Sequence, residues 1–444
     1  MFNKKREMKL SLFIAGTGHH ISSWRYPTSP SDGALNLDFI KDLTRKAEKG
    51  KFDFVFFADG LSINKESHPN ILVDFEPITL LSNLSDSTTN IGLAGTMSTT
   101  YSEPYNSARQ LSSLDHLSNG RAAWNIVTTA DPESASNFGN AEHMKHEKRY
   151  ERADEFVHIV KGLWNSWEED ALTRNVKTGE FFNDNKLHSI EHEGEFFSVK
   201  GPLSLPMSKQ GHPVLIQAGS SPRGQRLAAK YAEVVFTNQV SLEDAKIFYK
   251  SIKEQAKVFG RSKEDIIVMP GITPLLGDTD EEARAKYDLL LRLIPLSTGK
   301  KTLSRYLNEF NLNNYSFEKP LPKNIDFSFN WELEIKYEYL LTISDEYNFT
   351  LGELGQYVAS RNGHNYFVGT PEALADHMEV WFKEKGADAF NVMPVTLPED
   401  LNIFVEQVIP ILQRKELFRV DYQGMTLREN LGLKIPVNQV HQKT

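Results

Sequence analysis

The chain has 444 residues, a net charge of −9 at pH 7 and no cysteine. The charge argues against nucleic acid or an anionic membrane as partner, since such binders need a basic face. The missing cysteines exclude disulfides, thiolate zinc sites, iron–sulfur clusters and cysteine nucleophiles.

Lys9 to Ala15 reads as a first strand, and it exits into Gly16-Thr17-Gly18-His19-His20. The apolar run there is too short for a signal h-region, and no run approaches a membrane span, so a cytoplasmic protein is expected. Two histidines at a strand exit could touch a ligand; a polar loop explains them as well. Asn36 to Lys49 has helical spacing and stops at Gly50. Phe52 to Ala58 is an apolar run of strand length, of the kind covered on both faces. It ends in Asp59, which either caps the next segment or points into a site.

Glu76 to Thr88 is helical, Asn90 to Thr96 is a strand, and a helix opening at Pro104 follows. Arg121 to Thr129, RAAWNIVTT, is a β-branched and aromatic strand bounded by turn residues, with polar Asn125, Thr128 and Thr129 at its exit. Glu147 to Trp167 carries the clearest helical stripe, and His146 and Tyr150 share a face at its first turn. Residues 171–211 break the alternation as an insertion with a hairpin around Phe196 to Gly201. Pro213 to Ala218 is a strand leading into Gly219-Ser220-Ser221-Pro222 and a helix. Val234 to Thr237, the helix Leu242 to Phe259, the strand Ile266 to Leu276 and the helix Glu281 to Leu293 come next. Residues 295–365 read as a long irregular insertion, of the size that usually forms a lid. Thr370-Pro371-Glu372 opens a helix, Ala389 to Val395 is the last strand, and Leu401 to Leu412 closes the chain. A C-terminal tail starts at about residue 417; from Asp421 it is polar and is expected to wrap the surface.

Strands and helices thus alternate about eight times. The pattern predicts an α/β fold, a (β/α)8 TIM barrel with insertions, as a single domain over 1–444. A doubly wound sheet would want a third glycine after Gly16-Thr17-Gly18 and an immediate helix, and both are missing.

In such a barrel the chemistry sits at the C-terminal mouth. Gly-Ser-Ser-Pro opening a helix offers free backbone N–H groups and hydroxyls to a phosphate. The same letters also describe a Ser221 N-cap followed by Pro222. His143 and His146 are a weak metal pair, and no metal is expected. Gly-x-Ser-x-Gly is missing, and only Asp59 is a convincing acid at a strand end. A mouth with hydrogen bonds and no reactive side chain suggests that a cofactor carries the chemistry.

The segments FDFVFFADG, SLDHLSNGRAAWNIVT, HEKRYERADEFVHIVKGLW, PVLIQAGSSPRGQRLAAKYA and YFVGTPEALADHM resemble the bacterial-luciferase-like flavin monooxygenases. More narrowly they resemble the large components of the nitrilotriacetate monooxygenase, dibenzothiophene-sulfone monooxygenase and pristinamycin synthase group, over about residues 8 to 435. The resemblance implies a barrel that binds reduced FMN from a separate NAD(P)H:flavin reductase and uses O2 to oxygenate a small organic substrate. It places flavin contacts on Asp59, Thr96, His146, Tyr150, Ser220 and Ser221, with the serines on the phosphate and Asn125 nearby. It makes His146 the best candidate for a catalytic side chain and implies a homodimer or homotetramer. The chain looks most like a Bacillus-type branch acting on S-alkylated N-acetylcysteine, with cleavage of a carbon–sulfur bond. The rival readings are a deazaflavin-dependent hydride transferase on the same barrel, a non-catalytic flavin-binding protein, and a metal-free lyase or isomerase acting on a phosphorylated substrate.

Overall fold

Eight strands of four to ten residues, nearly all buried, lie parallel and close on themselves. They are β1 (Lys9–Phe13), β2 (Phe54–Phe57), β3 (Gly92–Ser98), β4 (Ala122–Val127), β5 (Val214–Gln217), β6 (Val234–Thr237), β7 (Ile267–Leu276) and β8 (Ala389–Val392). Pairing of β8 with β1, Lys9 opposite Ala389 and Leu12 opposite Val392, closes the barrel. The computed structural model describes residues 6–64, 68–323, 325, 331–361, 365–436 and 438. Among the described residues no helix is long and apolar enough to cross a membrane.

The helices between the strands are α1 (Leu37–Lys49), α2 (Pro77–Ser87), α3 (Pro104–Leu117), α4 (His146–Trp164), α5 (Pro222–Tyr231), α6 (Leu242–Val258), α7 (Asp280–Arg292) and α8 (Pro371–Lys383). Their starts follow local chemistry. Asn36, Ser241, Thr279 and Thr370 accept backbone N–H groups as N-caps, and proline opens α2, α3, α5 and α8. Strand residues alternate between two cores. Leu10, Leu12, Val55, Leu93, Trp124 and Leu215 face the helices, whereas Phe54, Phe56, Ala94, Ala123, Val214, Ile216 and Met269 fill the barrel.

Two expectations fail. The tail does not wrap the surface. Leu427, Leu431 and Leu433 join the interior barrel cluster, against the starts of β2 and β5. Leu427 also abuts Gly92 at the start of β3, where a Cβ would come within 2.6 Å of it. The tail is therefore the base plate of the barrel. Two buried cations fix it: Arg419 pairs with Asp53, and Arg428 pairs with Glu233. Residues 295–365 are not irregular either. Leu296–Tyr306, Trp331–Tyr347 and Leu351–Ser360 are helices around a core that includes Leu303, Leu307, Leu340 and Leu354. The first and third cross so closely that a Cβ on Gly355 would come within 2.7 Å of the Gly299 carbonyl carbon. Of the expected insertion, 324, 326–330 and 362–364 lie outside the described residues, as do 437 and 439–444 of the tail.

The insertion ends in an extra strand, Asn365–Gly369, that pairs parallel with the second half of β7. The expected hairpin within 171–211 is present as a two-stranded pair, His192–Glu193 with Ser198–Val199.

Candidate active site

The polar residues gather where the strands end. β2 runs out into Asp59, which caps no helix: His68 caps the short helix Pro69–Leu72, and the Glu76 carboxylate caps α2. Asp59 instead lines a cavity of about 270 Å³ with Thr96, Ser98, Thr129 and Asp131. Desolvation, reinforced by Glu76, pushes its carboxyl above the usual range. On the adjoining strand Thr96 Oγ1 donates to the Phe57 carbonyl at 3.1 Å and accepts from Asn125 Nδ2 at 2.8 Å. Asn125 Oδ1 is buried and has no partner among the described residues. β4 stops at Val127, and Thr129 takes a φ of 35°. A β-branched residue there is strained by about 1–3 kcal/mol, a cost found mainly around functional sites. A 2.7 Å hydrogen bond between Ser98 Oγ and Thr129 Oγ1 holds the turn.

The second group lies at the end of β5 and the start of α4. His146 is the first residue of α4 and does not cap it: the N-cap is Lys145, without a side-chain bond. The His146 and Tyr150 rings are 4.9 Å apart. A Cβ on Gly219 would meet Gly224 Cα at 2.8 Å and the Tyr150 hydroxyl at 3.2 Å, so only glycine lets this turn close under the tyrosine. Ser221 Oγ accepts from Gly224 N at 3.1 Å and is the N-cap of α5. Ser220 is exposed beside it. Gln217, buried behind the turn, has an Oε1 without partner among the described residues.

The structure thus brings Asp59, Thr96 and Asn125 together, and His146, Tyr150, Ser220 and Ser221 together, on one end of the barrel. Both ring nitrogens of His143 are engaged: Tyr101 OH lies 2.7 Å from its Nδ1, and Arg149 holds the other.

Sequence reasoning passed over two residues here, Asn70 and Asp74. His20, weighed above both as a ligand contact and as a polar loop residue, is buried: its Nδ1 accepts from Ser22 N at 3.1 Å, and its Nε2 has no partner among the described residues. Asn70 ties that loop down by donating to the His20 carbonyl at 3.1 Å and to Ser23 Oγ at 2.7 Å. Asp74 has its carboxyl pushed up to about 7 by desolvation and by Asp59. The His-His pair after Gly-Thr-Gly was the signal for His20; nothing local marks Asn70 or Asp74.

Burial holds three histidines neutral. With His68 beside it, His20 is pushed down to about 3 and His68 itself to about 4; His212, with Arg428 beside it, is pushed to about 3. A folded-state value below the ordinary 6.5 means that the unfolded chain binds more protons between the two. This stability is complete above pH 6.5 and is lost as pH falls toward 4 or 3. Each histidine contributes a slope of at most about 1.4 kcal/mol per pH unit. Urea unfolding of His68→Asn between pH 6.5 and 4 should show a shallower slope than the wild type; identical slopes would mean His68 is not held neutral.

A family model described as luciferase-like monooxygenase matches residues 17–389 of this chain. The chain belongs to the luciferase-like monooxygenase family. It is 53% identical over 439 residues to an N-acetyl-S-(2-succino)cysteine monooxygenase of Bacillus subtilis, covering 99% of both chains. It is 40% identical to component A of the nitrilotriacetate monooxygenase of Aminobacter aminovorans, covering 98% of each. Among solved structures, the EDTA monooxygenase of Chelativorans sp. BNC1 superposes with a TM-score of 0.78 at 31% identity, over 97% of this chain and 99% of that one. The protein is therefore a flavin-dependent monooxygenase, and its barrel is that of the family. Its own residues fit a flavin: a glycine-serine turn opens a helix at the mouth, with buried amide oxygens on Asn125 and Gln217 nearby that have no partner among the described residues.

Proposed function

We propose that this luciferase-like monooxygenase is the oxygenating half of a two-component system. It takes reduced FMN from a separate NAD(P)H:flavin reductase and uses O2 to oxygenate an S-alkylated N-acetylcysteine. The observation that carries the reading is the 53% identity, end to end, with the N-acetyl-S-(2-succino)cysteine enzyme. That the nitrilotriacetate relative is named as one component of a system supports a separate reductase. A homodimer or homotetramer is the expected assembly.

Bound reduced FMN would supply the electrons and the site of oxygen activation. The chain does the rest. Ser220, Ser221 and the N-terminus of α5 hold the phosphate, with Tyr150 closing the turn. Thr96 and Asp59 line the opposite wall and orient the ring system. His146, half-exposed at the entrance of α4, is placed to hold or pass a proton. The helices Leu296–Tyr306, Trp331–Tyr347 and Leu351–Ser360 of the insertion exclude water and fix the substrate at the reacting centre. One oxygen atom enters the substrate at the carbon bearing sulfur and the other leaves as water. The resulting hydroxy thioether collapses to a thiol and a carbonyl compound.

The test is a coupled assay with a flavin reductase, NADH, FMN and N-acetyl-S-(2-succino)cysteine. Substrate-dependent oxygen uptake with release of N-acetylcysteine is expected; no thiol release would overturn the substrate. His146→Asn keeps a side chain able to hydrogen-bond the flavin, so FMN affinity should change little, while product should form slower by roughly a hundredfold, the scale of a lost proton-transfer group. An unchanged rate of product formation would make His146 a bystander.

A further inference from the structure

The extra strand Asn365–Gly369 carries the inner wall of the barrel upward past its rim. In its register with β7, Tyr366 stands opposite Thr273 and Val368 opposite Leu275. Thr273 is two and three turns of the alternation above Met269 and Ile267, which face the barrel interior. Paired residues of parallel strands share a face, so Tyr366 stands on the mouth side of the sheet. Tyr26, from the loop after β1, packs in the same cluster with Leu275, Leu290 and Val395.

Several hydroxyls here lack an acceptor for their proton among the described residues, and Tyr287 is bonded by the Arg361 guanidinium, which can only donate to it. Thr273 is fully buried, and its hydroxyl has no partner among the described residues. The hydroxyls of Tyr366 and of Tyr287 on α7 are also buried, and neither has an acceptor for its proton among the described residues. The two rings pack edge to face with centroids 6.1 Å apart. A buried hydroxyl whose proton has no acceptor is destabilising, so two together at a mouth point to a ligand that accepts from them. Desolvation holds the Tyr366 phenol well above its ordinary range, so it remains a donor. Arg361, just past the helix Leu351–Ser360, sets its guanidinium 4.9 Å from the ring centres of both Tyr357 and Tyr366. The acids nearest this corner are already engaged. Glu399 and Asp400 share Lys286 at 2.8 and 2.7 Å, and Asp400 also accepts from Leu276 N and Thr396 N. No carboxylate among the described residues pairs with Arg361.

We infer that Arg361, Tyr366 and Tyr287 form an anion-binding corner on the β7 side of the mouth that takes a carboxylate of the substrate. A planar guanidinium meets a carboxylate through two parallel N–H bonds, and the phenols add O–H donors to the remaining lone pairs. The corner joins the insertion to the barrel, so an acid bound there also holds the insertion down over the reacting centre. The inference rests on the reading of the mouth as the oxygenation site, and it adds the acid group as the feature by which substrate is selected.

The test is equilibrium binding by calorimetry of N-acetyl-S-(2-succino)cysteine and of its succinyl dimethyl ester to the full-length protein, without flavin and with saturating FMN. Wild type should prefer the free acid. Arg361→Gln should weaken the acid by about tenfold to a hundredfold, the range of a hydrogen bond to a charged group, while the ester changes little. Arg361→Lys should recover part of the loss, and Tyr366→Phe should show a smaller one. FMN affinity and melting temperature should not move in either Arg361 variant. Acid binding unchanged in Arg361→Gln, equal losses of acid and ester, or a wild type that does not prefer the acid would each overturn the inference. Failure of the wild type to bind FMN would overturn the flavin reading instead, and the flavin-free titrations would still decide this one.

Discussion

Replacing Ser220 and Ser221 together by alanine is expected to weaken FMN binding by about 10- to 100-fold, the range of hydrogen bonds to a charged group. Binding should not vanish, because the backbone N–H groups and the dipole of α5 remain. Ser221 has a second task, since its Oγ accepts from Gly224 N at 3.1 Å and caps the helix. Its loss costs about 1 kcal/mol of helix stability whether or not a phosphate binds. A small drop in melting temperature without flavin is therefore expected and carries no information about the cofactor. Riboflavin separates the two effects, because it lacks the phosphate: its affinity should be the same in both proteins. Equal losses for FMN and riboflavin would sink the phosphate assignment, as would no loss for either. Ser221→Asp is sharper still. Aspartate caps as well as serine, so stability should hold, while its charge repels the phosphate and FMN binding should fall further than in the alanine variant.

That dual role shows where the sequence was legible and where it was not. Gly-Ser-Ser-Pro supported a phosphate site and a helix cap, and the structure makes the cap without removing the first reading. The barrel was legible because its strands are short, apolar and separated by well-capped helices, all of them local signals. The site residues were legible as strand exits, and Asp59 was distinguished from a cap only by the backbone, which hands capping to His68 and Glu76. The helices of the insertion were not read, although Thr350 and Glu353 form a capping box. Trp331–Tyr347 mixes aromatic, acidic and aliphatic residues without a clean stripe, and its packing partners lie on other helices. That the buried oxygens of Asn125 and Gln217 lack partners among the described residues depends on what surrounds them in space, which no spacing reveals. The tail was misread for the same reason. Its helix Leu427–Leu431 is five residues long, too short for a period, and the partner of Arg428 is 195 positions away.

Arg428→Ala is accordingly expected to cost about 3–5 kcal/mol, as for a buried pair broken by removing one partner. A tail lying on the surface would cost within about 0.5 kcal/mol. The side chain is fully buried and serves several carbonyls besides Glu233: Nε donates to Gln210 O at 3.0 Å, Nη2 to His212 O at 3.1 Å and Nη1 to Lys434 O at 3.1 Å. Burial alone would raise the Glu233 carboxyl, and the charge of Arg428 outweighs it and holds the group below its usual range. In the wild type this contribution is therefore complete above the unfolded carboxylate value and is lost only in acid. In the variant the sign reverses. Desolvation is then opposed only by lesser pulls, from His212, the Leu215 N–H and the more distant Lys161 and Arg261, so Glu233 takes a proton at higher pH than in the wild type, and the penalty grows as the pH rises through its new value. The gap between variant and wild type in urea unfolding should thus be larger at pH 7 than at pH 5. Adding Glu233→Gln removes the stranded charge and should recover part of the loss, but not the carbonyls that Arg428 served. A gap below about 1 kcal/mol at pH 7, or one that ignores pH, would show that the ion pair does not hold the tail in place. Flavin affinity should survive in the folded fraction, because Leu427 and Leu431 close the barrel at the end opposite the serine turn.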